Sequence, residues 1–158
     1  YGSATKDNPA GGRIPMANID PRHNGAFGAA WTLAYAATVV PAGLEVLTLS
    51  TLAGPFGLVA GEGEATPEGE LRPLAHVLAR LGRLSGTGLI VVETSRPDAV
   101  LGLAAADRLL LANITQDELT AVLPRMPRRV SLIGGDDVVL PTVERICLPP
   151  YGTVEVVF

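Results

Sequence analysis

The distribution of apolar residues divides the chain near residue 86. Before this point, long stretches with helical spacing lie on either side of one short apolar run at residues 44–50 (LEVLTLS). After this point, short runs of alternating apolar residues follow one another, with Gly, Pro and Asp between them. The pattern therefore predicts two domains, over residues 1–86 and 87–158.

Two helices are predicted in the first domain. The first covers about residues 22–40 and is rich in alanine; Asp20 is a candidate N-cap, and Pro21 suits the first helical position. The second covers residues 71–84, with apolar residues at helical spacing: Leu74, Val77, Leu78 and Leu81. The acidic segment between them, residues 61–70 (GEGEATPEGE), is expected to be a solvated loop.

Residues 44–50 are best interpreted as a buried parallel strand, because the run is short, nearly all apolar and follows a helix. The order loop, helix, strand, helix is that of the end of a (β/α)8 barrel: the loop after strand 7, helix 7, strand 8 and helix 8. An apolar strand without neighbours would be an aggregation site. We therefore expect its parallel neighbours in an N-terminal part of the same enzyme that is missing from this sequence.

The second domain is predicted to be a β-sandwich. Strands are expected at residues 88–94, 99–104, 108–113, 118–123, 129–133, 142–148 and 153–158. Period-two alternation predicts that one core receives Leu89, Val91, Leu101, Leu103, Leu109, Leu111, Val154 and Val156. The predicted fold class is the C-terminal end of a TIM barrel (α/β) followed by an all-β sandwich.

Composition narrows the classes of function. The chain is 47% hydrophobic and 18% charged with a net charge of −4, so it is globular and has no basic stripe for nucleic acid. No segment reaches the roughly 18 apolar residues of a membrane span. The single cysteine, Cys147, favours a reducing, cytoplasmic location. The two histidines, His23 and His76, lie far apart without cysteine partners, so no metal and no other cofactor is expected.

Several segments carry a resemblance to a known family. They are YGSATKDN at residues 1–8, DPRH at 20–23 with the following FGAAWTLAYA, residues 44–55, and LRPLAHVLARL at 71–81. These segments resemble the C-terminal region of D-apionate lactonases, which are similar to glycoside hydrolases of the barrel-plus-sandwich type. RLLLANIT at 108–115 and LPPYGTVEVV at 148–157 resemble the strands of such sandwich domains. The resemblance implies a hydrolase that opens D-apionolactone to D-apionate, with a sugar lactone or sugar acid as its small-molecule partner.

Candidate site residues follow from the barrel interpretation, because barrel enzymes place function at the C-terminal ends of strands and in the following loops. In the first such loop, a substrate carboxylate or lactone carbonyl could be bound by Lys6, Asn8, Arg13 and Arg22. The alternative is that Asp20 only caps a helix and Arg22 is solvated.

His23 and two hydroxyls complete the candidate set. His23 lies in the first helical turn, where positive charge is disfavoured, so it is a candidate general base; the alternative is a surface histidine. Ser50 and Thr51 would stand at the end of strand 8, where they could bind a substrate hydroxyl or satisfy the strand end. His76 is expected to be a packing or interface residue. The main catalytic residues are expected upstream of this chain.

Two other functions stay open beside the lactonase. A glycoside hydrolase of the same architecture needs two carboxylates across the scissile bond, and these would lie upstream. A non-catalytic binding module is disfavoured because sugar-binding platforms usually expose Trp or Tyr, and the only tryptophan, Trp31, lies in the first predicted helix.

Overall fold

A computed structural model describes residues 20–134 and 138–158, so Lys6, Asn8 and Arg13 lie outside the described residues. Two α-helices come first: α1 (Ala26–Val39) and α2 (Pro73–Gly82). Eight strands follow: β1 (Ile90–Val91), β2 (Val100–Ala105), β3 (Arg108–Asn113), β4 (Leu119–Val122), β5 (Arg129–Leu132), β6 (Val139–Leu140), β7 (Arg145–Leu148) and β8 (Thr153–Val157). Within these described residues, no helix is long and apolar enough to cross a bilayer.

The first helix begins later than its sequence pattern predicts. Pro21–Asn24 form a separate 3-10 turn, and Gly25 between that turn and α1 is extended (φ −118°, ψ −167°). Gly28 accommodates this arrangement, since a Cβ there would overlap the backbone carbonyl of His23. The chain therefore turns sharply before α1, which brings the polar residues that precede the helix down against its first turn.

Residues 44–50 are neither helical nor paired in a sheet. From Val46 to Leu49, their exposure nevertheless alternates. Leu47 and Leu49 pack on the alanines of α1, whereas Val46 is 81% exposed and Thr48 is also exposed. This is the pattern of an extended segment with one face covered by a helix. A barrel strand with neighbours elsewhere in the enzyme stays a prediction for this segment.

The second part is a β-sandwich, as its spacing predicts. Six strands form one sheet in the order β1-β2-β3-β8-β5-β6, and β4 pairs with β7 in a second sheet. All of these pairs are antiparallel. The predicted strand at 142–148 is shorter than expected, since β7 begins at Arg145, and the two-residue strand β6 was not predicted.

The prediction of a single core is wrong, because the central strands of the six-stranded sheet are buried on both faces. One face packs on the β4–β7 sheet and carries Leu109, Leu111, Val130, Val154 and Val156. The opposite face packs on α1 and carries Leu103, Leu110 and Ala112, with Leu101 partly buried beside them. Leu89 and Val91 are exposed. Alternation identifies two faces of a strand, but it does not show which face a neighbouring element covers.

A buried charge cluster joins α2 to the large sheet. Glu155 of β8 lies with Oε2 at 2.9 Å from Nε of Arg80 in α2 and with Oε1 at 2.6 Å from Nη1 of Arg108 in β3. Arg80 and Glu155 are buried. The helical part and the sandwich are therefore connected by α1 packing and by this carboxylate.

Candidate functional site

A cavity of about 530 Å³ lies beside the first half of α1. Its polar end is formed by residues that precede the helix: Asp20, Arg22 and His23. Its apolar part follows one side of α1, at Phe27, Trp31 and Tyr35, and is completed by Thr48 and Leu49. Phe56 lies against His23 at the polar end. The segment before α1 and the loop before α2 therefore meet at one end of the cavity.

Asp20 and Arg22 form a tight local pair at this end. The carboxylate accepts hydrogen bonds from the Arg22 backbone N–H at 3.1 Å, from Nε at 2.9 Å and from Nη2 at 2.7 Å. The Arg22 side-chain hydrogen bonds lower the pKa of Asp20 to about 2. The guanidinium also lies 5.2 Å from the centroid of the Phe27 ring. Asp20 thus caps the 3-10 turn Pro21–Asn24 and not α1 itself, whose N-cap is Gly25, and Arg22 faces the cavity with its charge already balanced.

His23 is placed where a base could act. Its ring meets Phe56 edge-on, with 5.6 Å between centroids. Its Nε2 atom is buried and has no hydrogen-bond partner within residues 20–134 and 138–158. A buried nitrogen without a partner costs about 1–3 kcal/mol. His23 lines the cavity, so its Nε2 atom would become available to a ligand there once it is uncovered.

Ser50 and Thr51 do not line the cavity. The Ser50 hydroxyl donates to the Phe56 carbonyl at 2.6 Å, and the Thr51 hydroxyl donates to the Ala53 carbonyl at 2.9 Å. The sequence left open whether these hydroxyls bind substrate or have a structural role. This geometry supports the structural role, in which they donate hydrogen bonds to backbone carbonyls at the start of the loop. His76, the other histidine, is half-buried on α2.

An ion pair in the loop before α2 was not predicted. Arg72 is only 1% exposed and donates to both carboxylate oxygens of Glu64, at 2.8 and 2.6 Å. These bonds lower the pKa of Glu64 below its ordinary value against the opposing effect of desolvation; the Gly61 N–H and the charge of Arg72 also lower it. The acidic loop is therefore not simply solvated. One signal was present: an arginine at a helix N-terminus is unfavourable unless it has an acidic partner.

No group of three or more His, Cys, Asp or Glu residues that could hold a metal ion is found in the part of the chain that the structure describes. Among the described residues, the cavity is lined by one imidazole, one carboxylate–guanidinium pair, four aromatic rings and the threonines Thr32 and Thr48.

Two family models match this chain. The model for the D-apionate lactonase TIM barrel domain matches residues 1–86, and the model for the D-apionate lactonase C-terminal immunoglobulin-like domain matches residues 97–156. The chain belongs to the D-apionate lactonase family. The predicted fold class, the end of a TIM barrel followed by a β-sandwich, is confirmed by this membership.

A D-apionate lactonase from Brucella anthropi is 48% identical over 128 residues, which are 81% of this chain and 21% of that protein. This chain thus spans about a fifth of the length of that curated relative. A conserved exported protein from Bacteroides fragilis is similar in fold, with a TM-score of 0.50 and 14% identity over 98% of this chain and 37% of that one. An isomaltulose synthase mutant from Erwinia rhapontici in complex with D-glucose has a TM-score of 0.39 and 16% identity over 54% of this chain and 16% of that one.

Because the chain belongs to a TIM barrel family, the cavity can be placed relative to the two ends of the barrel. In a TIM barrel the segment that enters each helix lies on the face where active sites are built. Residues 20–23 enter α1 and Phe56 lies before α2, so the polar end of the cavity is expected on that face.

Proposed function

We propose that this chain is part of a lactonase that opens D-apionolactone to D-apionate. The support is family membership over both domains and the 48% identity with the Brucella anthropi D-apionate lactonase. We further propose a role in apiose catabolism in the cytoplasm, which the lone cysteine favours. Because the relative is much longer than this chain, we propose that the remainder of the enzyme supplies the main catalytic groups.

Lactone hydrolysis sets clear requirements for the site. Water adds to the ring carbonyl, the carbonyl oxygen becomes negative, and the ring C–O bond then breaks to give a carboxylate and a hydroxyl. A base must take a proton from the water, and donors must face the developing oxyanion. The observation that carries the proposal at this site is the buried, unpartnered Nε2 of His23, which we propose as a base. Arg22 lies beside it as a cation.

We propose that the loop before residue 20 completes the substrate contacts. Lys6, Asn8 and Arg13 are donors that lie outside the described residues, and they precede in sequence the turn that forms the polar end of the cavity. A lysine or arginine there would stabilise the oxyanion and bind the product carboxylate. Ser50 and Thr51 are assigned a supporting role in the loop before α2.

The test is a comparison of substrates with the intact enzyme. Purified protein is offered D-apionolactone in a pH-stat, where each ring opening releases one proton, and aryl glycosides in a parallel colour assay. The lactone alone should be turned over well above its spontaneous rate. Turnover of a glycoside without turnover of the lactone would instead support a glycoside hydrolase.

A further inference from the structure

The loop between residues 51 and 72 is a folded unit. The Thr51 N–H donates to the Phe56 carbonyl and the Leu58 N–H donates to the Leu52 carbonyl, which closes a tight turn. The Arg72 N–H returns to the Leu58 carbonyl at 2.8 Å. The two ends of the loop are thus joined by backbone hydrogen bonds, and Phe56 lies within the tight turn.

The Arg72 side chain binds the inside of this loop. Its Nη1 donates to the Gly57 carbonyl at 2.6 Å and to the Gly54 carbonyl at 3.2 Å. Its Nε and Nη2 donate to Glu64, which in turn accepts the Gly61 N–H at 3.1 Å. One guanidinium therefore connects the turn around Phe56 with the acidic segment that follows it.

Stability alone does not account for this arrangement. Arg72 is the residue before the first turn of α2, where a cation is disfavoured by the helix dipole. Burial of an ion pair also contributes little net stability, because desolvation opposes the attraction between the charges. What the pair does provide is a fixed geometry, since the guanidinium contacts the carbonyls on both sides of Phe56.

We propose that Arg72 and Glu64 are positioning residues that hold Phe56 against His23 and so keep the polar end of the cavity preformed. This inference rests on the proposed function, because it assumes that this end of the cavity receives the lactone. Phe56 limits where the His23 ring can turn and keeps water from that side of the imidazole. A small displacement of Phe56 would therefore misplace the base.

The experiment uses the intact enzyme with the variants Arg72→Lys and Glu64→Gln. The matched controls are changes of the same kind at exposed positions, Arg83→Lys after α2 and Glu62→Gln in the loop. Lysine keeps the charge of Arg72 but cannot reach Glu64 and both carbonyls at once. Hydrogen exchange of residues 52–60 should accelerate by about tenfold or more in the two test variants, with α1 unchanged. Their kcat/KM for D-apionolactone should fall by about 10²-fold, as expected for a misplaced group, while the controls match wild type.

A double variant shows whether the effect acts through Phe56. Phe56→Ala should lower kcat/KM, and Phe56→Ala with Glu64→Gln should lower it no further. Additive losses, unchanged exchange at 52–60, or unchanged kcat/KM together with a general loss of thermal stability would each overturn the proposal. If wild type opens no lactone, the proposed function fails, while the exchange data still decide whether Arg72 and Glu64 hold the loop.

Discussion

Asp20 acts on two groups at once. Its carboxylate accepts the backbone N–H of Arg22, as a cap does, and also binds the Arg22 guanidinium through both oxygens. The sequence predicted the cap from Asp-Pro at a helix start, but it left Arg22 open between a substrate ligand and a solvated residue. The structure shows a third arrangement, in which Arg22 faces the cavity while paired with its near neighbour. Such a pair depends on side-chain rotamers, which local sequence does not specify.

The pair gives a pH dependence with a definite sign. The pKa of Asp20 is about 2 in the folded protein and 3.8 without the pairing, so its contribution to stability is present above pH 4 and is lost as the pH falls toward 2. Asp20→Asn should therefore have a lower Tm than wild type near neutral pH, and the difference should vanish in acid. Thermal unfolding across this range measures it. A Tm difference that does not change with pH would show that the charge plays no part.

The loop before residue 20 is tested by Arg13→Ala in the intact enzyme. Loss of one preorganised donor to an oxyanion typically costs about 10²–10³ in rate, so lactone turnover should fall by that order. Tm should stay close to wild type, and Arg83→Ala, at an exposed position, should keep full activity. Turnover within about threefold of wild type, or a parallel loss of activity and folding, would assign Arg13 a structural or solvated role.

The sequence predicted the positions of the secondary-structure elements closely, but it did not predict which faces of these elements are covered by other parts of the chain. Both helices and most strands lie within their predicted ranges, because apolar spacing and turn residues are local properties. The covered faces depend on contacts between distant segments. β3 contained a sign of this, since Leu109, Leu110 and Leu111 are consecutive and apolar, as in strands that are buried on both faces. Arg72 and Glu64 are eight residues apart, and no periodic pattern connects them.

The two-faced sheet predicts two similar losses of stability. Leu111 and Leu110 lie on opposite faces of the sheet and are 4% and 1% exposed. Replacing either of them by alanine should lower the unfolding free energy by about 2–5 kcal/mol. Val122→Ala, at a position 66% exposed, is the control and should cost little. Denaturant unfolding of the intact protein gives these values. A negligible cost for Leu110→Ala alone would show that the face packed on α1 contributes little to stability.

At the scale of the whole molecule, the sandwich is attached to the barrel part by more than a linker. Helix α1 contacts α2 of the barrel part and also contacts β2, β3 and β8 of the sandwich. At the helix start, Phe27 meets Tyr151 of the turn before β8, with ring centroids 5.2 Å apart. Phe27 also lines the cavity, so the sandwich supports one of its walls.

The Glu155 cluster should make the two parts unfold together. Glu155→Gln removes the charge opposite Arg80, and breaking a buried pair in this way typically costs about 3–5 kcal/mol. Arg108→Gln should cost less, because Arg108 is 38% exposed at its side chain and water can replace it. Calorimetry should show one transition that moves to lower temperature in Glu155→Gln. Two transitions in wild type, with only one of them shifted, would contradict this coupling.

Helix α1 packs on both α2 and the large sheet of the sandwich. This packing limits how the enzyme can be divided to make chimeras with other enzymes. The alanines and Leu33 of α1 belong to the barrel part in sequence, but they share a core with Leu110 and Ala112 of the sandwich. If the sandwich were exchanged for one from another enzyme, the apolar surface of α1 would be exposed to solvent or would pack against a sheet face that does not fit it. A chimera joined between residues 86 and 97 would therefore have to carry over the sheet face that meets α1, so the practical unit of exchange includes the helix together with the sandwich.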